Sequence, residues 1–274
     1  MFHSNTNQSI LNRETLAEWI PNFNSTSKLV LFAKQITSIS PQTFVQLINV
    51  KELYLNQNQM LFLTSYIFDG LSQLEHLGLN QNQLSHIDNG AILSGLNNLK
   101  YLNLQGNQLV KLASASFLNV PNLIWLDVSF NRLNTLDSFT FASLSQLNVL
   151  ILSENLLTLI TDGTLSYLSK LNTLYLDSNQ IITFDLKGMR NLTEFYVQNN
   201  LLANLTQTQL NENICLVQIN FENNKIDLID KNIFSGLSML QAVYFASNPI
   251  SVKQPDYVKQ LCAKIQNPLC KIYV

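Results

Sequence analysis

What the chain lacks narrows its class before any motif is read. Charged residues make up only 12% of it, about half the usual share, and Lys and Arg form no run. With a net charge of −2, bulk electrostatic attraction to nucleic acid or anionic lipid is not its organising function, and no nucleic-acid partner is expected. No apolar run reaches the roughly eighteen residues a membrane helix needs, so no membrane span is expected. The opening residues, Met1-Phe2-His3-Ser4-Asn5-Thr6-Asn7, lack the apolar core of a secretory signal. Two alternatives follow: a cytosolic protein, or a mature form or fragment of a secreted one.

Catalytic residue types are equally thin. There are three histidines, His3, His76 and His86, and none has a Cys partner near it. The sequence contains no H-E-x-x-H, no phosphate-binding Gly loop and no G-x-S-x-G. His76 projects from a strand toward Glu52 and reads as a solvated histidine rather than a base. Asp127, Asp177 and Glu154 offer acid pairs, but on an open surface with no pocket to shift a pKa. The expectation is a non-enzyme with no catalytic residue, cofactor or metal.

Cysteines number three. Cys262 and Cys270 lie close together in the tail, where a disulfide closes a short loop if the compartment is oxidising, and two free thiols remain if it is not. Cys215 has no evident partner and reads as a small buried apolar residue.

What is present is one pattern, repeated. Leu123-Ile-Trp-Leu126-Asp-Val128-Ser-Phe-Asn131-Arg-Leu133 reads L-x-x-L-x-L-x-x-N-x-L, and about ten copies share its register. The motif Asn falls at Asn58, Asn82, Asn107, Asn131, Asn155, Asn179, Asn200, Asn224 and Asn248, with Lys34 in its place in the first unit. The spacing is 24 residues, except for 25 before Asn107 and 21 before Asn200. Within each unit the alternation predicts one short parallel strand, its leucines inward and the residues between them outward. The Asn then turns the chain, and its amide satisfies backbone groups no ladder reaches. Ten residues on comes a second apolar mark, at Phe44, Phe68, Phe117, Phe141 and Phe234, with Ile92, Leu165 and Leu210 as variants. The bulk of that returning segment bends the rod with its strands inside. The shortened unit after Asn179 predicts a tighter convex turn, and Gly90 and Gly95 bracket the extra residue of the long one.

The fold class is therefore an α/β solenoid, a horseshoe with a parallel concave sheet and an irregular or short helical convex side. Residues 1–25 form an N-terminal capping segment, with a short helix over Arg13–Trp19 as the lid. Residues 26–250 form the array. Residues 251–274 form a C-terminal cap, with a helix opening at Pro255.

The register Leu99-x-x-Leu102-x-Leu104-x-x-Asn107-x-Leu109, with Phe117 ten residues beyond the Asn, resembles the 24-residue class of leucine-rich repeats. That class includes Toll-like receptor ectodomains and small matrix proteoglycans. The tail Asn248-Pro249-Ile250, Cys262, Cys270 is similar to that of secreted insect proteins, among them mosquito immune proteins. The resemblance implies an extracellular protein-binding module, with innate immunity as one setting. The alternatives are a receptor ectodomain fragment and an intracellular scaffold.

Any function then falls to the residues that the motif leaves free. Six, four and two residues before each Asn, the outward positions form three columns on the concave face. Tyr101, Trp125, Val149 and Ile151 make an apolar patch there, which Tyr175 and Tyr196 extend and which Asp127, Asp177 and Glu194 border. Exposed aromatics with a polar rim mark interaction sites, although Tyr and Val also suit strand surfaces. The expected partner is a protein held by shape with few charges, and a homo- or heterodimer is open as well. Phe130 is expected to shield the Asn spine. N-x-S/T sequons at Asn7, Asn24, Asn191 and Asn204 offer glycosylation sites, and none falls in a concave column.

Overall fold

A computed structural model describes residues 9–87, 90–161, 163–261, 267 and 269–274. Its concave sheet has one strand per repeat, each only three residues long. These are β2 (Lys28–Val30), β4 (Glu52–Tyr54), β5 (His76–Gly78), β6 (Tyr101–Asn103), β7 (Trp125–Asp127) and β8 (Val149–Ile151). The series continues with β10 (Thr173–Tyr175), β12 (Glu194–Tyr196), β14 (Gln218–Asn220) and β16 (Ala242–Tyr244), and ends on β17 (Lys271–Tyr273). All are parallel and in register, so that Leu102 pairs with Leu126 and Leu126 with Leu150. A three-residue strand has no stability of its own. The central residue of each concave strand from β2 to β16 is buried, Leu29 to Val243, and full burial of such a side chain stabilises by roughly 1.5–3 kcal/mol.

Between the sheet and the returning segment runs the Asn spine. Asn131 donates from Nδ2 to Val128 O and to Leu104 O of the previous repeat, both at 3.0 Å, and its Oδ1 accepts from Leu109 N at 3.0 Å. The same three contacts recur at Asn58, Asn155, Asn179, Asn200, Asn224 and Asn248. Each Asn is aimed inward by a left-handed residue just before it, such as Gly106, Phe130 or Asn199, with φ of 65°, 54° and 56°. Phe130 consequently points outward and is exposed, contrary to the expectation that it shields the spine. On the far side of the core the aromatic marks stack, Phe44 on Phe68 and Phe117 on Phe141.

Helix α1 (Arg13–Trp19) occupies the expected residues. Asn12 caps it, its Oδ1 accepting from Glu14 N and Thr15 N at 2.9 Å each, and Leu16 is buried against the first repeat. Just before it, β1 (Ser9–Leu11) pairs with β3 (Ile36–Ile39). At the other end α2 (Pro249–Lys253) precedes α3 (Pro255–Gln260), which buries Val258. Strand β17 was not expected, because no motif Asn follows it. It pairs along β16, and Tyr273 stacks on Tyr244 at 4.7 Å.

The flank of the solenoid carries two further strand pairs, β9 (Leu159–Ile160) with β11 (Thr183–Phe184), and β13 (Asn204–Leu205) with β15 (Leu228–Ile229). β11 and β13 do not join. That interruption falls at the repeat shortened to 21 residues. On either side a backbone N–H spans the seam, Asp185 N to Ile160 O and Asp230 N to Leu205 O, both 2.9 Å. At the short repeat the Gln209 amide takes over: its Oε1 accepts from Thr206 N at 2.7 Å and its Nε2 donates to Phe184 O at 3.4 Å. A cleft of about 480 Å³, lined by Phe184, Asn204, Gln209 and their neighbours, opens there.

Candidate protein-binding face

The strands bring the three outward columns together as the register requires, yet the patch is less exposed than the sequence implies. Tyr101 is exposed, whereas Trp125, Val149, Ile151, Tyr175 and Tyr196 are half-buried because neighbouring columns shield one another. His76 stacks on Tyr101 with ring centroids 4.4 Å apart, and Tyr175 stacks on Tyr196 at 4.7 Å. The stack on Tyr101 leaves His76 half-buried.

Asp127 departs most from expectation. Rather than bordering the patch it is buried, with Oδ1 accepting from Ser129 Oγ at 2.6 Å and Ser129 N at 2.8 Å. Burial pushes its carboxyl above the usual Asp range, against the pull of those two hydrogen bonds. Asp177 and Glu194 do border the tyrosines. Tyr196 donates to Glu194 Oε2 at 3.2 Å, and burial, reinforced by the Glu194 charge, pushes its phenol up to about 12. The same causes raise Tyr175.

Toward the N-terminus the face opens into a hollow of about 290 Å³. Tyr54, His76, Tyr101 and Trp125 wall it, Leu77 and Gly78 form its floor, and Asn80 and Asn103 lie at its edge. Sequence reasoning ran the patch toward the C-terminus and missed this. The signal was available: a glycine in an outward column with aromatics on both sides. At the rim, Glu52 takes Lys28 at 2.8 Å and the Tyr54 hydroxyl at 3.0 Å, and Lys28 holds its carboxyl below the usual Glu range. Glu75 is similarly lowered by Lys100, at 2.6 Å. Lys28 is the one basic residue in the three columns, against Glu52, Asp127, Asp177, Glu194 and Glu222.

Asn24, Asn191 and Asn204 are all exposed and away from the concave columns. Cys215 is a free thiol, half-buried rather than buried. Asn7 and Cys262 lie outside the described residues, and so does His3. Among the described residues no His, Cys, Asp and Glu group could hold a metal ion, and no helix is long and apolar enough to cross a membrane.

A leucine rich repeat family model matches residues 24–84, 48–109, 73–133 and 121–181, together more than half of the chain. The chain belongs to the leucine-rich repeat family. No curated protein matches it. Among solved structures, this leucine-rich repeat chain is similar to TLR13 in a TLR13–ssRNA13 complex, at 29% identity and a TM-score of 0.78. That match covers 88% of this chain and 35% of the other, so the chain spans about a third of the receptor's length. A Leptospira interrogans leucine-rich repeat protein, LIC12759, matches at 26% identity and a TM-score of 0.67, over 92% of this chain and 67% of that one. The leucine-rich repeat domain of APL1B, at 23% identity and a TM-score of 0.70, covers 87% and 69% and shows the fold alone.

Proposed function

We propose that this leucine-rich repeat chain is a non-enzymatic module that holds a protein partner against its concave sheet. The observation that carries this reading is the aromatic lining of that sheet, from Tyr54 through Tyr101 and Trp125 to Tyr175 and Tyr196, on strands fixed by a continuous core. Large rigid rings give contact area at little entropic cost, which is why they serve as anchors. The charge of the columns favours protein over nucleic acid: one Lys against five carboxylates repels phosphate. The similar TLR13 chain is in complex with RNA, so a single-stranded RNA is the comparison ligand, and no binding to it is expected.

The module works outside the cell in this reading, with innate recognition as its setting, glycans at Asn24, Asn191 and Asn204, and a Cys262–Cys270 bridge. Those sequons leave the concave face bare, as a binding face requires. The short span relative to TLR13 supports a second reading, a piece of a larger receptor ectodomain, which uses the same face; an intracellular scaffold is the third. Mass spectrometry of native protein separates them: glycans or the bridge place it outside the cell, and unmodified Asn with free thiols contradicts that.

Capture from the native source, with wild type and Tyr101→Ala/Trp125→Ala as paired baits, tests the face. The partner should be lost from the variant and retained by Leu118→Ala/Phe139→Ala, whose side chains are exposed on the convex side. Retention by both variants, or loss from the convex one alone, would contradict the reading.

A further inference from the structure

The column four residues before each Asn behaves as a ladder of side chains at the repeat spacing. Where consecutive repeats both carry Tyr the rings stack, Tyr175 on Tyr196 at 4.7 Å and 5°, and Tyr244 stacks likewise on Tyr273 of the capping strand β17, at 4.7 Å and 10°. Tyr54 stands in the same column with no such neighbour, because the next residue is Gly78 and the one after is Asn103. The Lys28 ammonium, 4.9 Å from the ring centroid, comes from the preceding strand, on the side away from Gly78. The other side of the ring faces the hollow.

Gly78 is not required by its backbone, which has no left-handed φ. What it contributes is a missing side chain: an added Cβ would lie 3.1 Å from Tyr54 Cδ1, with the Asn56 and Asn80 Oδ1 atoms next nearest at 3.7 Å. Resting on the concave-face reading above, we propose that this gap receives one aromatic side chain of the protein partner, its ring continuing the ladder on Tyr54.

The dimensions and chemistry of the hollow agree on that occupant. About 290 Å³ is at the lower limit of small-molecule pockets, enough for one ring system. Its walls are the faces and edges of Tyr54, Trp125 and the His76–Tyr101 pair, which favour offset or edge-on rings. The Asn80 and Asn103 amides at the edge suit a phenol hydroxyl or an indole N–H. A cationic side chain finds no carboxylate in the lining, since Glu52 is taken by Lys28 and Tyr54, and a nucleotide finds no Lys or Arg there.

The test uses 4-methylphenol and indole as side-chain probes, titrated into the full chain while the indole N–H signals of its two tryptophans are followed by NMR. Trp125 should shift saturably, and Trp19, in α1, should not move. Tetramethylammonium and tert-butanol should leave both unshifted. Gly78→Tyr supplies the missing rung from the chain itself and should abolish the response. Gly78→Ala, which asks Tyr54 to move only slightly, should weaken it at least tenfold and serves if the larger variant does not fold. Absence of a saturable shift, or a response that survives both Gly78 variants, overturns the site. Tetramethylammonium or tert-butanol binding as well as 4-methylphenol overturns the aromatic assignment. With a captured partner, loss on Tyr175→Ala but wild-type affinity in both Gly78 variants sinks the hollow and leaves the concave-face reading standing. Partner affinity indifferent to every concave substitution sinks that reading, and the proposed occupant with it.

Discussion

In the C-terminal half of the concave sheet, Tyr175 and Tyr196 lie ring on ring, and Gln218 Nε2 donates to the Tyr196 hydroxyl at 3.2 Å. In the N-terminal half the same column runs from Tyr54 over Gly78 to Asn103 and leaves a hollow. Below the surface the halves are alike: Leu77 and Leu174 are both buried strand centres, and Asn82 and Asn179 make the same kinds of spine contact. One framework thus carries a closed surface and an open one, and the difference lies wholly in residues that the repeat does not specify. Stability and recognition are assigned to different letters of the same unit.

Asn80 and Asn82 put that division to its sharpest test, being the same residue type two positions apart. Asn82 donates to Leu55 O and Leu79 O at 3.0 Å and accepts from Met60 N at 3.2 Å. Its replacement by Ala strands three buried backbone groups and should cost about 3 kcal/mol in chemical denaturation. Asn80→Ala, at the edge of the hollow, should stay within about 0.5 kcal/mol. Equal losses would erase the distinction between framework and face.

A smaller effect is expected at the short repeat. Gln209→Ala removes the amide that stands in for the missing seam between β11 and β13, and about 1 kcal/mol should be lost. An Ala exchange at Gln207, two residues away and outside the seam, serves as the reference and should be neutral.

The smallest effect depends on pH. Burial raises the Asp127 carboxyl, so the folded chain keeps that proton to higher pH than the unfolded chain does. The folded state therefore binds more protons, and stability from this group falls as pH rises from the ordinary Asp pKa through the raised one. Asp127→Asn keeps an acceptor for Ser129 without the charge. Its melting temperature should exceed that of wild type at neutral pH, with the gap closing below the ordinary Asp range. A gap that widens in acid would contradict the buried-charge account.

Much of this was legible in the sequence. The period fixes which strand residues pair, so the columns could be written down before the fold was known, and the helix at Arg13–Trp19 follows from the need of an open solenoid end for an apolar lid. What escaped had a common cause. The repeat reports which way a side chain points, not how far its neighbours cover it. Trp125 and Asp127 both point outward, yet the ring is half-buried and the carboxyl almost wholly so. Phe130 went astray because a left-handed backbone turns it away from the spine it precedes. Strand β17 carries no motif Asn, and the interrupted flank at Gln209 depends on three absent residues whose consequence appears only when both neighbouring repeats are in place.

The most direct test of the division is the equilibrium dissociation constant of the captured partner with Tyr101→Ala/Trp125→Ala, measured beside the melting temperature of the same variant. Affinity should fall by tenfold or more, about 1.4 kcal/mol, while the melting temperature holds close to wild type. Unchanged affinity, or a loss matched by unfolding of the solenoid, would contradict the assignment of recognition to the unrepeated residues.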